Sequence, residues 1–118
     1  MWTYSQTSGE ILHDGEFVGT GYSGTQGGRN NPDAQNVQNV GPIPRGLYTI
    51  GDRYDDPHLG PCVMHVDPMP GTQTFGRSEF RIHGNNIDND ASKGCLVAGP
   101  SIRILIAASD DKQLTVLR

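Results

Sequence analysis

Short alternating runs broken by polar, glycine-bearing stretches run the length of this chain. Trp2–Gln6 alternates as a strand does, Thr7-Ser8-Gly9 interrupts it, and Glu10–His13 resumes the pattern. Asp14-Gly15 is a hairpin signal, because both residues accept the positive-φ turns that match strand twist, so Glu16–Tyr22 is predicted to return alongside. From Ser23 to Gly41 the chain is Gly, Asn, Gln and Asp with few apolar residues. That predicts a long loop, and loops of such length in small domains are usually functional or mobile.

Gly41-Pro42-Ile43-Pro44-Arg45-Gly46 reads as a rigid turn: the prolines fix φ and remove donors, and Gly46 permits a tight reversal. Leu47–Ile50 follows as a strand, Asp52–Gly60 as a second polar loop, and Cys62–Val66 as a buried β-branched strand. Met69–Gly76 is a turn-rich connection. Glu79–His83 is a further strand, with Phe80 and Ile82 on one face and Arg81 and His83 on the other. One helix is predicted from Pro100 to Ala108: Pro100 suits the first helical position, and Ile102, Leu105 and Ile106 recur at helical spacing. Lys112–Arg118 closes the chain as a strand. The sum is one mainly β domain over residues 1–118, a small sandwich or barrel-like fold with one short helix.

Composition narrows the partners. The 118 residues include 16 Gly and 8 Pro, which punctuate the runs without repeating. A formal charge of −4 with no basic stripe argues against a nucleic-acid surface. No apolar run approaches the roughly 20 residues that span a bilayer. Met1-Trp2-Thr3-Tyr4-Ser5 lacks the basic start and apolar stretch of a signal peptide, so the expectation is synthesis in the cytoplasm without one.

The chemistry concentrates between Arg81 and Val97. His83 ends an alternating strand, and Cys95 follows Ser92-Lys93-Gly94 across a polar loop. A loop of about ten residues closes at little entropic cost, so it can fold back and bring the thiol toward the ring. A free thiol has a pKa of about 8.5, and an imidazole that draws its proton yields a thiolate–imidazolium pair. A third group must orient the ring; the candidates are Asp88 and Asp90 in the loop and a backbone carbonyl, that of Gly84 among them. Gly94, lacking a Cβ, lets a substrate carbonyl approach the amides around Cys95 as an oxyanion site. Ser92 has two readings, a brace for the loop or a hydrogen-bond donor to substrate.

Other constellations compete. His58, Cys62 and His65 are zinc-ligand types, with Asp55 or Asp56 as an added oxygen, but the spacing fits no standard zinc site and no metal is assigned. A Cys62–Cys95 disulfide is the alternative fate of the thiols. His13, beside Asp14-Gly15, reads as a strand-end surface residue. No phosphate-binding loop and no nucleophile-elbow serine is present.

His83-Gly84 followed by Ser92-Lys93-Gly94-Cys95-Leu96 resembles the active-site signature of the L,D-transpeptidase catalytic domain. Pro44-Arg45-Gly46-Leu47-Tyr48-Thr49-Ile50 resembles the strand entry that precedes it. Trp2-Thr3-Tyr4, Gly19-Thr20-Gly21-Tyr22-Ser23-Gly24, Asn30-Asn31-Pro32 and Phe75-Gly76-Arg77-Ser78 extend the likeness over nearly the whole chain. The closer similarity is to the compact branch typified by type VI secretion L,D-transpeptidase effectors, once known only as a domain of unknown function.

The resemblance implies an L,D-transpeptidase-like β-sandwich, no cofactor, and peptidoglycan stem peptides as substrate. Cys95 would attack the carbonyl of the third stem residue, expel the terminal D-alanine and form a thioester, with His83 as base. The amides of Gly94 and Cys95 would line the oxyanion site. Arg77 would pair with a substrate carboxylate or form a structural ion pair. Larger relatives carry a second histidine before the Gly-Cys where this chain has Lys93, and their His-to-Cys spacing is longer. Cleavage or D-amino-acid exchange is therefore expected over cross-linking. The implied setting is the periplasm of a target bacterium, with a cognate immunity protein in the producer. The alternatives are a catalytically silent peptidoglycan-binding module, a phage-type cell-wall lysis enzyme, and a metal-binding protein using His58, Cys62 and His65.

Overall fold

The alternating runs become ten strands in the structure, a computed structural model describing residues 1–118. In chain order they are β1 (Trp2–Ser5), β2 (Glu10–His13), β3 (Glu16–Thr20), β4 (Tyr22–Ser23), β5 (Gly46–Ile50), β6 (Tyr54–Asp56), β7 (Gly60–Pro68), β8 (Arg81–His83), β9 (Leu96–Val97) and β10 (Gln113–Leu117). The one α-helix, α1, covers Pro100–Ala108, between β9 and β10. The fold is mainly β with a single short helix, as the patterning predicts. Two strands were not legible: β6 lies within the polar stretch Asp52–Gly60, and β9 is too short to show a period.

The strands join in the order β3-β2-β1-β10-β5-β7-β8-β9-β4, with β6 added on β7. The pairs β1–β10 and β8–β9 are parallel; the others are antiparallel. The two ends of this order, β3 and β4, are consecutive in the chain, so the sheet curls almost into a closed surface. Gly21 makes the junction. A Cβ there would stand 2.2 Å from the Val97 carbonyl oxygen, so the predicted continuous strand Glu16–Tyr22 divides at the one residue that permits the close approach.

Inside the curl lie Tyr4, Ile11, Ile43, Tyr48, Met64, Ile82 and Leu96, all buried in one apolar cluster. A fully buried aliphatic side chain contributes about 1.5–3 kcal/mol. The helix closes this core with Ile106, and Ile102 and Ala107 pack against it. Its inward face is rotated from the one the spacing suggests: Leu105 is exposed and Arg103 is buried. The reason is hydrogen bonding. The Arg103 guanidinium donates to the carbonyls of Ala98 at 3.0 Å and Pro61 at 2.7 Å, which compensates the desolvation of its charge.

Register positions the site. Met64 pairs with Ile82, which pairs with Leu96, and this row faces the core. His65 pairs with Arg81, and His83 with Val97, on the opposite face.

Candidate active site

Side chains alternate along β8 and β9, so Arg81 and His83 share a face with Val97, and Cys95 stands in the bend that leads directly into β9. The register that sets Ile82 beside Leu96 places Cys95 beside Arg81 and diagonal to His83. The Arg81 amide approaches the Cys95 sulfur, so the two stretches lie side by side at this point. His83 is buried and Cys95 half-buried. The fold-back thus arises from a parallel strand pair that returns the chain beside β8.

The loop that makes the return is pinned. Tyr22 Oη donates to Asn85 Oδ1 at 2.7 Å and accepts from the Ala91 amide at 2.9 Å, tying both ends of the loop to β4. The Arg29 guanidinium stacks 3.6 Å from the Tyr22 ring centroid and donates to the Asn89 carbonyl at 2.8 Å. Within the loop, Asn86 and Asp90 bond each other through side chain and backbone. Ile87 stands at its tip, fully exposed.

Among the three candidates for orienting His83, the Gly84 carbonyl occupies the place: Nδ1–H donates to it at 2.8 Å. Asp90 is engaged with Asn86 instead. The tautomer fixed this way leaves Nε2 as an acceptor, the form a general base requires. Behind Gly84 lies Arg103, whose Nη2 would be 2.9 Å from a Cβ at that position. Burial lowers the His83 pKa below its ordinary 6.5; the Arg103 and Arg81 charges push the same way, against the raising effect of the Gly84 carbonyl.

Around Cys95 the balance also favours the neutral form. Burial raises the thiol above its ordinary 9.0, while the Arg81 amide and the Arg81 and Arg77 charges oppose it. The thiol donates to the Glu79 carbonyl at 3.7 Å. Glu79 has φ of 67°, a left-handed conformation costly for a non-glycine residue. That kink delays the start of β8 to Arg81, where the patterning predicts Glu79, and aims the carbonyl at sulfur. Both shifts disfavour the charged forms, so burial of the two groups opposes the ion pair expected from the sequence.

Ser92 is fully buried, and its hydroxyl donates to the Cys95 carbonyl at 2.6 Å while accepting from the amides of Gly24 at 2.9 Å and Gly94 at 3.1 Å. Its geometry is that of a brace. The Gly94 amide is thereby occupied, and the glycine has another reason to be there. Its φ is 131°, and a Cβ would stand 2.3 Å from Arg77 Nη2. Arg77, in turn, is buried and donates to the carbonyls of Gln35, Pro42 at 2.8 Å and Gly41 at 2.9 Å. It staples the proline turn to the strand carrying His83, and no acidic side chain pairs with it.

The remaining sequence candidates lie elsewhere. Cys62 is buried and unbridged, whereas His58 and His65 are exposed, and His65 stacks on Tyr54 at 5.0 Å. His13 stacks on Trp2 at 4.0 Å and bonds Asp111, distant from Cys95 in the strand order. Three contributors escaped the sequence reading. Arg81 carried a signal, its alternation with His83. Arg103 carried another, a lone cation in an apolar helix. Glu79 carried none, since backbone conformation is not written in its type.

The curled β-sheet thus carries a half-buried cysteine, Cys95, at the entry to β9 and a carbonyl-tethered histidine, His83, at the end of the neighbouring β8. The Tlde1 domain model matches residues 18–116, and the chain belongs to that family, the type VI secretion L,D-transpeptidase effectors. No curated protein matches it. No helix is long and apolar enough to cross a membrane.

Proposed function

We propose that this protein is a peptidoglycan-directed cysteine L,D-carboxypeptidase that releases the terminal D-alanine from tetrapeptide stems, with D-amino-acid exchange as a second outcome. One observation carries the reading: the parallel β8–β9 pair returns Cys95 beside Arg81, on the strand that carries His83, whose Nδ1 is held by the Gly84 carbonyl with Nε2 left to accept a proton. Membership of the effector family supports the substrate class and action in a target periplasm; a producer then requires an immunity partner.

The mechanism follows from a neutral pair. Sγ attacks the carbonyl carbon of the third stem residue as its proton passes to His83 Nε2. The Cys95 amide faces the developing oxyanion, and the Ser92 hydroxyl, bonded to the carbonyl of the same residue, holds that turn still. Collapse breaks the C–N bond, and the imidazolium protonates the departing D-alanine amine. Water or an incoming amine then attacks the thioester, giving a proton to His83, which returns it to sulfur. General acid–base participation of this kind contributes on the order of 10²–10⁴ in rate.

The raised thiol favours a second reading, a silent peptidoglycan-binding module. Alkylation against pH does not separate the two, because a base that removes the proton during attack needs no standing thiolate. Tetrapeptide muropeptides incubated under reducing conditions do. Loss of D-alanine with a thioester adduct on Cys95 by intact mass is expected. Binding without product, exchange or adduct would establish the silent module.

A further inference from the structure

One cavity opens on the fold, about 180 Å³ in volume, lined by Gln38, Asn39, Arg77, Ser78, Glu79 and Lys93 with a single apolar side chain. It adjoins the nucleophile: Glu79 supplies the carbonyl that accepts the Cys95 thiol, and the Arg77 guanidinium lies against Gly94. At about 30 Å³ per water it has room for about six waters. That suits one small amino acid and is below the roughly 300 Å³ at which sites for larger ligands begin.

Its charges are arranged for a zwitterion. Arg77 commits Nη1 and Nη2 to three carbonyls but has no partner at Nε–H. That group is not sealed away, since the one buried side-chain polar atom without a partner is Gln6 Oε1. Lys93 is exposed and enters no ion pair. The Glu79 carboxylate pairs with Arg81 at 3.2 Å and remains largely exposed. Two cations thus border the cavity with one carboxylate at its edge.

We propose that this cavity binds the free α-carboxylate of the departing or incoming D-amino acid between Arg77 and Lys93, with Glu79 receiving its ammonium. The inference rests on the carboxypeptidase reading and adds a specificity. Stems ending in a free carboxylate are cut, whereas stems whose fourth residue continues into a cross-link bring no carboxylate to the two cations and are disfavoured. In exchange, the bound ammonium first loses a proton to solvent. The neutral amine attacks the thioester carbon, the C–N bond forms, and nitrogen passes a proton to His83. The C–S bond then breaks and His83 returns that proton to Cys95.

The test compares a tetrapeptide stem bearing a C-terminal carboxylate with its C-terminal carboxamide, for the wild type, Lys93→Met and Lys93→Glu. The wild type is expected to prefer the acid in kcat/KM by about tenfold or more, the usual scale of one charge-assisted hydrogen bond. Lys93→Met should shrink the preference mainly through KM for the acid, and Lys93→Glu should abolish it. D-alanine and D-alaninamide as acceptors should show the same pattern. Equal cleavage of acid and amide by the wild type, or a preference untouched in both variants, would overturn the proposal. Failure of the wild type to cut either substrate or form an adduct would instead overturn the carboxypeptidase reading beneath it.

Discussion

The Arg103 guanidinium packs so tightly on Gly84 that a Cβ there would stand 2.9 Å from Nη2, and Gly84 in turn supplies the carbonyl that holds His83 Nδ1. A buried cation therefore backs the group that orients the base. It also acts on the ring itself: after burial, Arg103 is the largest influence lowering the His83 pKa. Replacing it with Met should let that pKa rise toward 6.5, moving the acid limb of the kcat/KM profile to higher pH. Lys at this position should keep the limb near its original place. A limb that stays fixed in Arg103→Met would show that burial alone sets the shift.

For the wild type, the same shifts define the pH window. His83 acts as base only when neutral, so kcat/KM should hold to lower pH than an ordinary imidazole allows and fall as pH drops through a value below 6.5. Because Cys95 is raised above 9.0, no alkaline limb from thiol ionisation should appear before that pH. Stability has a matching sign. Below 6.5 the unfolded chain protonates this histidine before the native state does, so unfolding free energy should decline from there toward the folded pKa. Denaturant titrations across pH 4–8 would read it.

Removing the reactive groups separates chemistry from folding. Cys95→Ala should abolish D-alanine release with the unfolding transition little changed, because the thiol's contacts are weak sulfur hydrogen bonds with the Glu79 carbonyl and the Arg81 amide. His83→Gln should cost about 10²–10⁴ in turnover. Residual activity above that range would mean another group accepts the proton.

Gly94→Ala tests the close approach beneath the nucleophile. The methyl would meet Arg77 Nη2 at 2.3 Å in a backbone of φ 131°. A loss of about 1–3 kcal/mol is expected from strain alone, with activity falling as Arg77 shifts. Urea denaturation read beside turnover checks both.

Ser92→Ala removes one hydroxyl that serves three backbone groups, leaving the buried Gly24 and Gly94 amides unpaired. Each unsatisfied buried group costs about 1–3 kcal/mol. The variant should unfold at clearly lower denaturant and turn over more slowly while still forming the acyl-enzyme. Unchanged stability would mean that water replaces the hydroxyl without cost.

Local pattern by itself determined the mainly β character, the helix at Pro100–Ala108 and most strand positions, and it singled out His83 and Cys95 as candidates. Those properties depend on alternation, turn chemistry and residue type, all of which act over a few neighbours. Only the tertiary structure decided which carbonyl holds the imidazole, that Ser92 and both terminal nitrogens of Arg77 are committed to backbone, and that burial disfavours the charged forms of the thiol and the ring. Those outcomes depend on strands far apart in the chain meeting in one register, and on desolvation that exists only once the sheet has curled. Arg103 shows the difference. Helical spacing put Leu105 inside, but the Ala98 carbonyl just before the helix and the distant Pro61 and Cys62 carbonyls of β7 offset the cost of burying the cation and seat it beneath Gly84.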